Sequence, residues 1–323
     1  MEPEFHAVSG YHFQVSDLRI SDRKPGVSAF MRIKNGADWL ELSIRSHISY
    51  FDEIVAVYNQ CTDSTPDILK RLQREYGPHK LRVIHYTDLV HPPGSDGHAR
   101  TDPASPNSLV NYYNFSLAST RYQFATKLDD DHLAIADATK SVTDTLRSGT
   151  ATSNTMYCFS GLNVFRRPDG RLGILSNDSV SGGGDIGFFR VTPHTFFVHD
   201  RRFERFQRGN DRREFAGFLY WHLKYLKRDM GFGNYALDKN PHSRYAKRQT
   251  ALQNGSGQAI SLQELSKARV PGLMRKLLQL VSEKSELISV RDAAIATTFT
   301  DASVEDAILR TAAPEFHSNL ISE

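Results

Sequence analysis

Cysteine is scarce in this chain: Cys61 and Cys158 are the only two in 323 residues, far apart and without CxxC spacing. That excludes a disulfide framework and a zinc ribbon, and it fits a reducing cytoplasm. Long apolar runs are missing as well, and none approaches the ~20 residues that a membrane span needs. Residues 1–10 have neither the basic segment nor the apolar segment of a secretory leader, so none is expected. An excess of one charge is also lacking. Forty Lys and Arg against 37 Asp and Glu leave a net charge of +3, with no dense basic stripe. A nucleic-acid partner is therefore not expected. No internal repeat or low-complexity tract is visible.

What is present is an ordinary globular balance, 39% hydrophobic and 24% charged, so a core of normal size can be buried. The length suits one large α/β domain, alone or with a small appendage. A short apolar strand is expected over 27–33. Asn35 then reads as a helix N-cap with Asp38 at the third helical position, and Leu40, Ile44 and Ile48 form the buried stripe. Residues 53–58 are rich in β-branched side chains and read as a strand, followed by a polar turn over 59–64. Thr65-Pro66-Asp67 opens a second helix, with Ile68, Leu69, Leu72 and Tyr76 on its apolar face, and Gly77-Pro78 closes it. A third strand is expected over 81–86. A loop rich in Pro, Gly and Asp over 91–107 precedes a helix marked by Leu109, Tyr113 and Leu117. A strand over 124–128 then runs into Asp129-Asp130-Asp131-His132.

This alternation predicts βαβ units and a parallel sheet whose strand ends gather at one edge, where ligands bind in open α/β sheets. Between 156 and 197 the pattern becomes antiparallel β structure, with strands over 156–166 and 186–191. Residues 214–228 read as a helix carrying Phe218, Tyr220, Trp221 and Tyr225. Residues 249–260 read as a linker, and 261–323 as a helical appendage with Leu273, Leu277 and Leu280 on one face. The catalytic domain is then expected to span 1–248.

Three carboxylates after a buried strand repel one another unless a cation or solvent compensates. At the carboxyl edge of a parallel sheet they offer hard oxygen ligands suited to Mg²⁺ or Mn²⁺, with open positions for phosphate oxygens. Strand alternation would turn Asp129 and Asp131 to one side and Asp130 to the other.

With these pieces in place, the chain resembles the glycosyltransferase family 2 type of enzyme with the GT-A fold, over roughly 28–197. The resemblance is carried by Arg32-Ile33-Lys34-Asn35 leading into Trp39-Leu40-Glu41, and by Asp52-Glu53-Ile54-Val55 with the turn from Asn59 to Thr65. Lys127-Leu128-Asp129-Asp130-Asp131 completes it. The resemblance implies a Rossmann-like, mostly parallel sheet flanked by helices. It implies that the first strand end (Arg32, Lys34, Asn35) and the turn with Asn59 and Asp63 hold the nucleotide. Lys127, Asp129 and Asp130 then meet the nucleotide sugar, and Asp129 and Asp131 form a DXD-type metal site for Mn²⁺ or Mg²⁺. Two positions depart from the family pattern. Asn35-Gly36 stands where Asn-Glu is usual, and Asn59 stands where Asp is usual. Asp63 remains as the acid of that turn, either as a ligand or as a turn cap.

Transfer of a sugar to an acceptor hydroxyl needs a general base, usually Asp or Glu. Asp185, after the run Ser181-Gly182-Gly183-Gly184, is the first choice, because glycines let backbone approach a ligand closely. Asp178, Asp200 and Glu204 are the alternatives. Arg201, Arg202 and Arg205 either meet phosphate or cover a surface. His222 or His242 would complete the metal site, as a late His does in some enzymes of this fold, or would pack in the core. Lys224 and Lys227 are point charges for a diphosphate or a solvated face, and His132 adjoins the acidic run.

The resemblance implies an inverting transferase moving a sugar, with UDP as the expected nucleotide, to a glycan or lipid-linked glycan in surface polysaccharide or lipopolysaccharide synthesis. A cytoplasmic enzyme peripheral to the inner face of the membrane fits this, with Arg and Lys of the helical tail toward anionic lipid. The C-terminal helices also offer an oligomer contact. Two other readings stand beside it. A nucleotidyltransferase would bring a Gly-rich phosphate loop after the first strand, which Arg32 to Gly36 is not. A non-catalytic glycan- or nucleotide-binding protein on the same fold would show no metal-dependent nucleotide binding.

Overall fold

The computed structural model describes residues 6–93, 95–200, 204–235, 237–239, 241–254, 258–268 and 282–316. The chain begins with strand β1 (His6–Val8) and β2 (Lys24–Ile33), then helix α1 (Leu40–His47) and β3 (Glu53–Tyr58). Helix α2 (Thr65–Tyr76), β4 (Leu81–Tyr86), the short α3 (Asp96–Arg100), α4 (Leu109–Ala118) and β5 (Tyr122–Lys127) follow. Next come β6 (His132–Ala134), α5 (Ala136–Arg147), β7 (Thr155–Arg166), β8 (Leu172–Leu175), β9 (Val180–Ser181) and β10 (Gly187–Arg190). A hairpin of β11 (Thr195–His199) and β12 (Glu204–Arg208) leads to β13 (Arg212–His222). The remainder is α6 (Arg244–Gln253), β14 (Ala259–Ile260), α7 (Leu262–Ala268), α8 (Glu283–Thr298) and α9 (Val304–Thr311).

One sheet runs in the order β1-β4-β3-β2-β5-β10-β7-β13-β6. Its first five strands are parallel. The hand of pairing changes at β10, which is antiparallel to both β5 and β7. This is the expected mostly parallel sheet with a smaller antiparallel region and helices after it. Period-two alternation sorts β2: Val27, Ala29, Met31 and Ile33 enter a core with α1 and α2, while Phe30 enters a core with α4 on the other face. Strand β3 is buried at all six positions, as a central parallel strand must be. Proline in the first turn of α2 and Gly77 at φ 82 just past its end bracket that helix as expected. All ten residues of α4 are buried, because the sheet covers one side and the β11–β12 hairpin packs on the other. Asn114 on α4 pairs its amide with both the N–H (2.7 Å) and the carbonyl (2.9 Å) of Phe197.

Several local expectations are corrected. Asn35 caps no helix: it sits at φ 51, and its Oδ1 accepts from the N–H of Thr62 at 2.8 Å. The short Asn side chain stabilises this left-handed turn instead, and α1 begins only at Leu40. The loop over 91–107 contains the five-residue α3. Residues 214–222 of the stretch read as helix belong to strand β13, which lies parallel to β7 and antiparallel to β6. Phe218, Leu219, Tyr220 and Trp221 are buried in succession, since β13 is covered on both faces. A continuous apolar run of that length cannot distinguish strand from buried helix by its period.

Of the stretch 249–260, expected as a linker, residues 249–253 are helical and β14 pairs with β8. The stripe of Leu273, Leu277 and Leu280 lies outside the described residues, as do Arg201 and Arg202. Ile295 and Phe299 of the α8 region, with Val304 and Ile308 of α9, pack against Leu133 and Trp221 in one shared core. Among the described residues, no helix is long and apolar enough to cross a membrane.

Candidate metal and nucleotide site

The carboxyl ends of β2, β3 and β5 open into a cavity of about 500 Å³. Arg32, Lys34, Asn59, Lys127 and all three aspartates of the acidic run line it, together with Asp185, Glu204 and His222. Asn35 and Asp63 are not among its walls. Asp63 caps its own turn, accepting from the N–H of Thr65 and of Ala37 at 3.0 Å each. Asn59 is 1% exposed, and its amide nitrogen donates to the carbonyls of Tyr86 and Asp88 at 2.7 Å each. It therefore braces the loop after β4 while forming part of the wall. The Arg32 guanidinium lies 3.2 Å over the Tyr113 ring, and its Nε has no hydrogen-bond partner.

The acidic run falls between β5 and β6, in a turn rather than in a strand, so side-chain alternation does not apply and all three carboxylates face one cavity. Asp129 pairs with Lys127 at 3.1 Å. Burial is the largest influence and raises its pKa, but the surrounding positive charge together, led by the Lys127 ammonium, outweighs burial and holds it at about 2. Lys227 lies 3.1 Å from Asp130 and 2.9 Å from Asp131. Burial and repulsion from Asp131 push Asp130 up against the pull of Lys227. Burial would raise Asp131 too, yet the Lys227 ammonium leads the influences that hold it well below the usual carboxylate range.

Strand β13 brings the histidines together. His222 and His132 are register partners across β13 and β6, and on the other side of β13 His222 pairs with Asn163 of β7. Asn163 Nδ2 donates to the carbonyl of Asp178, which only accepts, so its Oδ1 faces His222 Nδ1 at 2.5 Å. That nitrogen must therefore carry a proton and donate it. His222 Nε2 is then turned to Asp131 Oδ1, 3.3 Å away. His132 is 2% exposed and stacked on Tyr220 with ring centroids 3.6 Å apart; burial depresses its pKa to about 3, which keeps it neutral.

Asp131 Oδ1 and His132 Nε2 are both buried without a hydrogen-bond partner. Together with His222 they offer three ligand atoms within 4.8 Å of one another. Two imidazole lone pairs and a carboxylate oxygen, buried and converging, could hold a divalent cation, and Asn163 behind His222 is the kind of partner that fixes a ligand's tautomer. Asp129 stands beside this group, 3.7 Å from His132 Nε2.

A second cavity of about 620 Å³ lies under the β11–β12 hairpin. Tyr113, Lys127, Asp185 and Glu204 line both cavities, so these side chains stand at their junction. Asp185 Oδ1 accepts from the N–H of Gly183 at 2.8 Å. Glu204 Oε2 is buried without a hydrogen-bond partner. Asp200 lines only the second cavity. Asp178 lines neither; its Oδ2 accepts from Tyr225 Oη and Arg248 at 2.5 Å each. Lys224 lies in the first cavity, its ammonium 5.1 to 5.7 Å from the ring centres of Phe232, Tyr225, Tyr245 and Tyr235. Sequence reasoning passed over Asn163 and the stacked pair Tyr235–Tyr245, and treated His132 only as a neighbour of the acidic run. His132 of β6 and His222 of β13 are ninety residues apart in sequence and their strands carry no shared motif, so no local signal joined them.

No family model matches this chain, and no curated protein matches it. Parts of several solved structures are similar to it, two enzymes among them. One is a mannosyltransferase from Pyrobaculum calidifontis, in complex with GDP-Man and Mn²⁺. It is 18% identical with a TM-score of 0.30, over 45% of this chain and 37% of that one. The other is glucosyl-3-phosphoglycerate synthase from Mycobacterium tuberculosis, in complex with Mn²⁺, UDP and glucosyl-3-phosphoglycerate. It is 15% identical with a TM-score of 0.27, over 51% of this chain and 53% of that one. This chain thus spans about a third to a half of their lengths.

Proposed function

We propose that the protein is a metal-dependent glycosyltransferase that moves a sugar from a nucleotide donor, with UDP as the expected nucleotide, to a glycan or lipid-linked acceptor. The observation that carries this reading is the convergence of Asp131, His132 and His222 beside the first cavity, whose wall includes Asp131 and His222, with two of the three ligand atoms buried and unpartnered. The cavity lies at the sheet edge where ligands of open α/β folds bind. A divalent ion held there supplies Lewis acidity to the leaving diphosphate. Two imidazoles in the donor set favour Mn²⁺ over Mg²⁺.

The other roles fall to the chain's own side chains. Lys127 holds Asp129 ionised toward the cavity, and Lys224 and Lys227 offer positive charge to phosphate. The second cavity receives the acceptor. At the junction, Asp185 takes the proton of the acceptor hydroxyl while that oxygen bonds the anomeric carbon. The bond to the diphosphate breaks with its electron pair leaving on the phosphate oxygen. Attack from the side opposite the diphosphate gives inversion. Glu204 is the alternative base at the same junction.

The test is calorimetric and thermal-shift titration with UDP, GDP, CMP and their common sugars, with and without Mn²⁺, on the wild type and Asp131→Ala. The expected outcome is stabilisation by one nucleotide that needs Mn²⁺ and disappears in the variant. Metal-independent binding of a nucleotide or a glycan would favour a binding protein instead. Absence of any nucleotide response would sink the assignment.

A further inference from the structure

The loop that carries Asp185 is held from outside by the C-terminal part of the chain. Gly182 and Gly184 sit at φ 83 and 90, left-handed values that let the backbone turn sharply and present both carbonyls to side chains. The carbonyl of Gly182 accepts from Ser160 Oγ at 2.8 Å and from Arg291 Nη1 at 3.0 Å. The carbonyl of Gly184 accepts from Arg213 Nε at 2.7 Å. Arg291 lies on α8, and so does Glu283, which receives the main-chain N–H of Arg213 at 2.6 Å and its guanidinium at 3.3 Å. Leu287, between them on α8, would stand 3.3 Å from a Cβ added at Gly184. Helix α8 therefore touches this loop directly at Gly182, through Arg291, and beside Gly184, through Leu287; through Glu283 it also holds the arginine that binds the Gly184 carbonyl.

Arg291 is 6% exposed and Asp292 3%. Arg291 Nε and Nη2 both donate to Asp292 Oδ1, at 3.0 and 2.7 Å. Burying a guanidinium is costly, and an apolar side chain of similar size would often stabilise the fold as well or better. What an apolar residue cannot do is fix the position of a carbonyl. The planar fork can hold Asp292 with one edge while the remaining nitrogen reaches Gly182. The Asp185 carboxylate accepts from Gly183 N–H, so its direction follows the backbone that these arginines hold.

We propose that α8 is a positioning element of the active site, with Arg291 as the positioning residue that sets Asp185 through the Gly182 carbonyl, and with Glu283 acting in parallel through Arg213. This rests on the reading of Asp185 as the base. A general base misplaced by a fraction of an ångström still allows the donor to bind but slows the transfer.

Arg291→Lys keeps the buried charge and removes the fork. Glu283→Gln, at a partly exposed position, loosens Arg213 without burying an unpaired charge, and it stands as a second probe if the first variant folds poorly. Two measurements are made on the full chain. Amide hydrogen exchange reads the loop itself, independently of any activity. Steady-state turnover reads kcat and donor KM. The expected result is faster exchange at 182–185 with β2 and β3 unchanged, and a kcat lowered roughly ten- to hundredfold at unaltered donor KM and Mn²⁺ affinity. Unchanged exchange in both variants overturns the clamp. Faster exchange with wild-type kcat overturns the positioning role while leaving the transferase reading intact. A wild type with no transfer activity overturns the transferase reading and the positioning role with it, and the exchange data then report the clamp alone.

Discussion

Glu53 is the most heavily partnered carboxylate in the parallel half of the sheet. It is fully buried at the start of β3. It accepts from the N–H and Nε of Arg121 at 2.6 and 2.8 Å and from Ser28 Oγ at 2.9 Å, with Arg82 3.5 Å away. Removing the carboxylate leaves the Arg121 main-chain N–H and the Ser28 hydroxyl without their acceptor, while the Arg121 and Arg82 guanidiniums keep the His79 and Ser119 carbonyls and reach solvent. Glu53→Ala is therefore expected to cost about 1–3 kcal/mol in urea unfolding, the range for a buried polar group left unsatisfied. His47 works through protonation. It is buried on α1, and its Nδ1 lies 2.8 Å from the Ser43 carbonyl; burial lowers its pKa to about 4. The unfolded chain binds a proton near the ordinary imidazole value of 6.5, so between that pH and 4 the unfolded state holds more protons. Stability is complete above that window and falls as pH drops through it, with a slope of up to about 1.4 kcal/mol per pH unit from this group. His47→Gln should flatten the decline in urea midpoint between pH 7 and 4. An unaltered slope would assign the decline to other groups, of which buried His132 is the nearest of the same kind.

At the scale of the element, the β6–β13–β7 ladder decides the site. The register sets His132 opposite His222 and His222 opposite Asn163, and it stacks Tyr220 on His132. Gly161 of β7 makes room for this: a Cβ there would come within 2.6 Å of the Tyr220 carbonyl oxygen, and closer still to its ring carbons. Gly161→Ala must push β13 away, at a cost of about 1–3 kcal/mol or more as overpacking. Because Tyr220 backs His132, the same change should weaken Mn²⁺ binding in calorimetry. Loss of stability with unchanged metal affinity would detach the ladder from the metal group. This element also shows where local reading failed. Strands β2 to β5 have a period, flanking turns and β-branched runs, and they were legible. Strand β13 is buried on both faces and rich in aromatics, so its sequence suits either secondary structure equally. The aspartates were legible because carboxylates after a buried strand need a reason. Asn163 was not, because an Asn inside a strand has no local signature.

Across the whole molecule, the C-terminal helices share a core with the sheet. Phe299, 3% exposed, packs its ring 5.1 Å from Trp221 and 5.2 Å from Phe218 on β13. Trp221 Nε1 donates to Thr311 Oγ1 at 2.9 Å. We expect a single cooperative transition in calorimetry, with Phe299→Ala lowering stability by about 3–5 kcal/mol as a large-to-small core change. Two separable transitions, with the mutation moving only one, would mean that the helices form their own unit. The sequence by itself determined the βαβ alternation, the parallel half of the sheet and the placing of an acidic run at its carboxyl edge. Each of these follows from local periodicity, turn chemistry and charge repulsion between neighbours in the chain. Tertiary structure alone decided that His222 meets Asp131 and His132, that Lys227 lies between two of the aspartates, and that α8 reaches the glycine loop. Those contacts join residues tens to over a hundred positions apart, and strand register and core packing, which no local pattern encodes, bring them together.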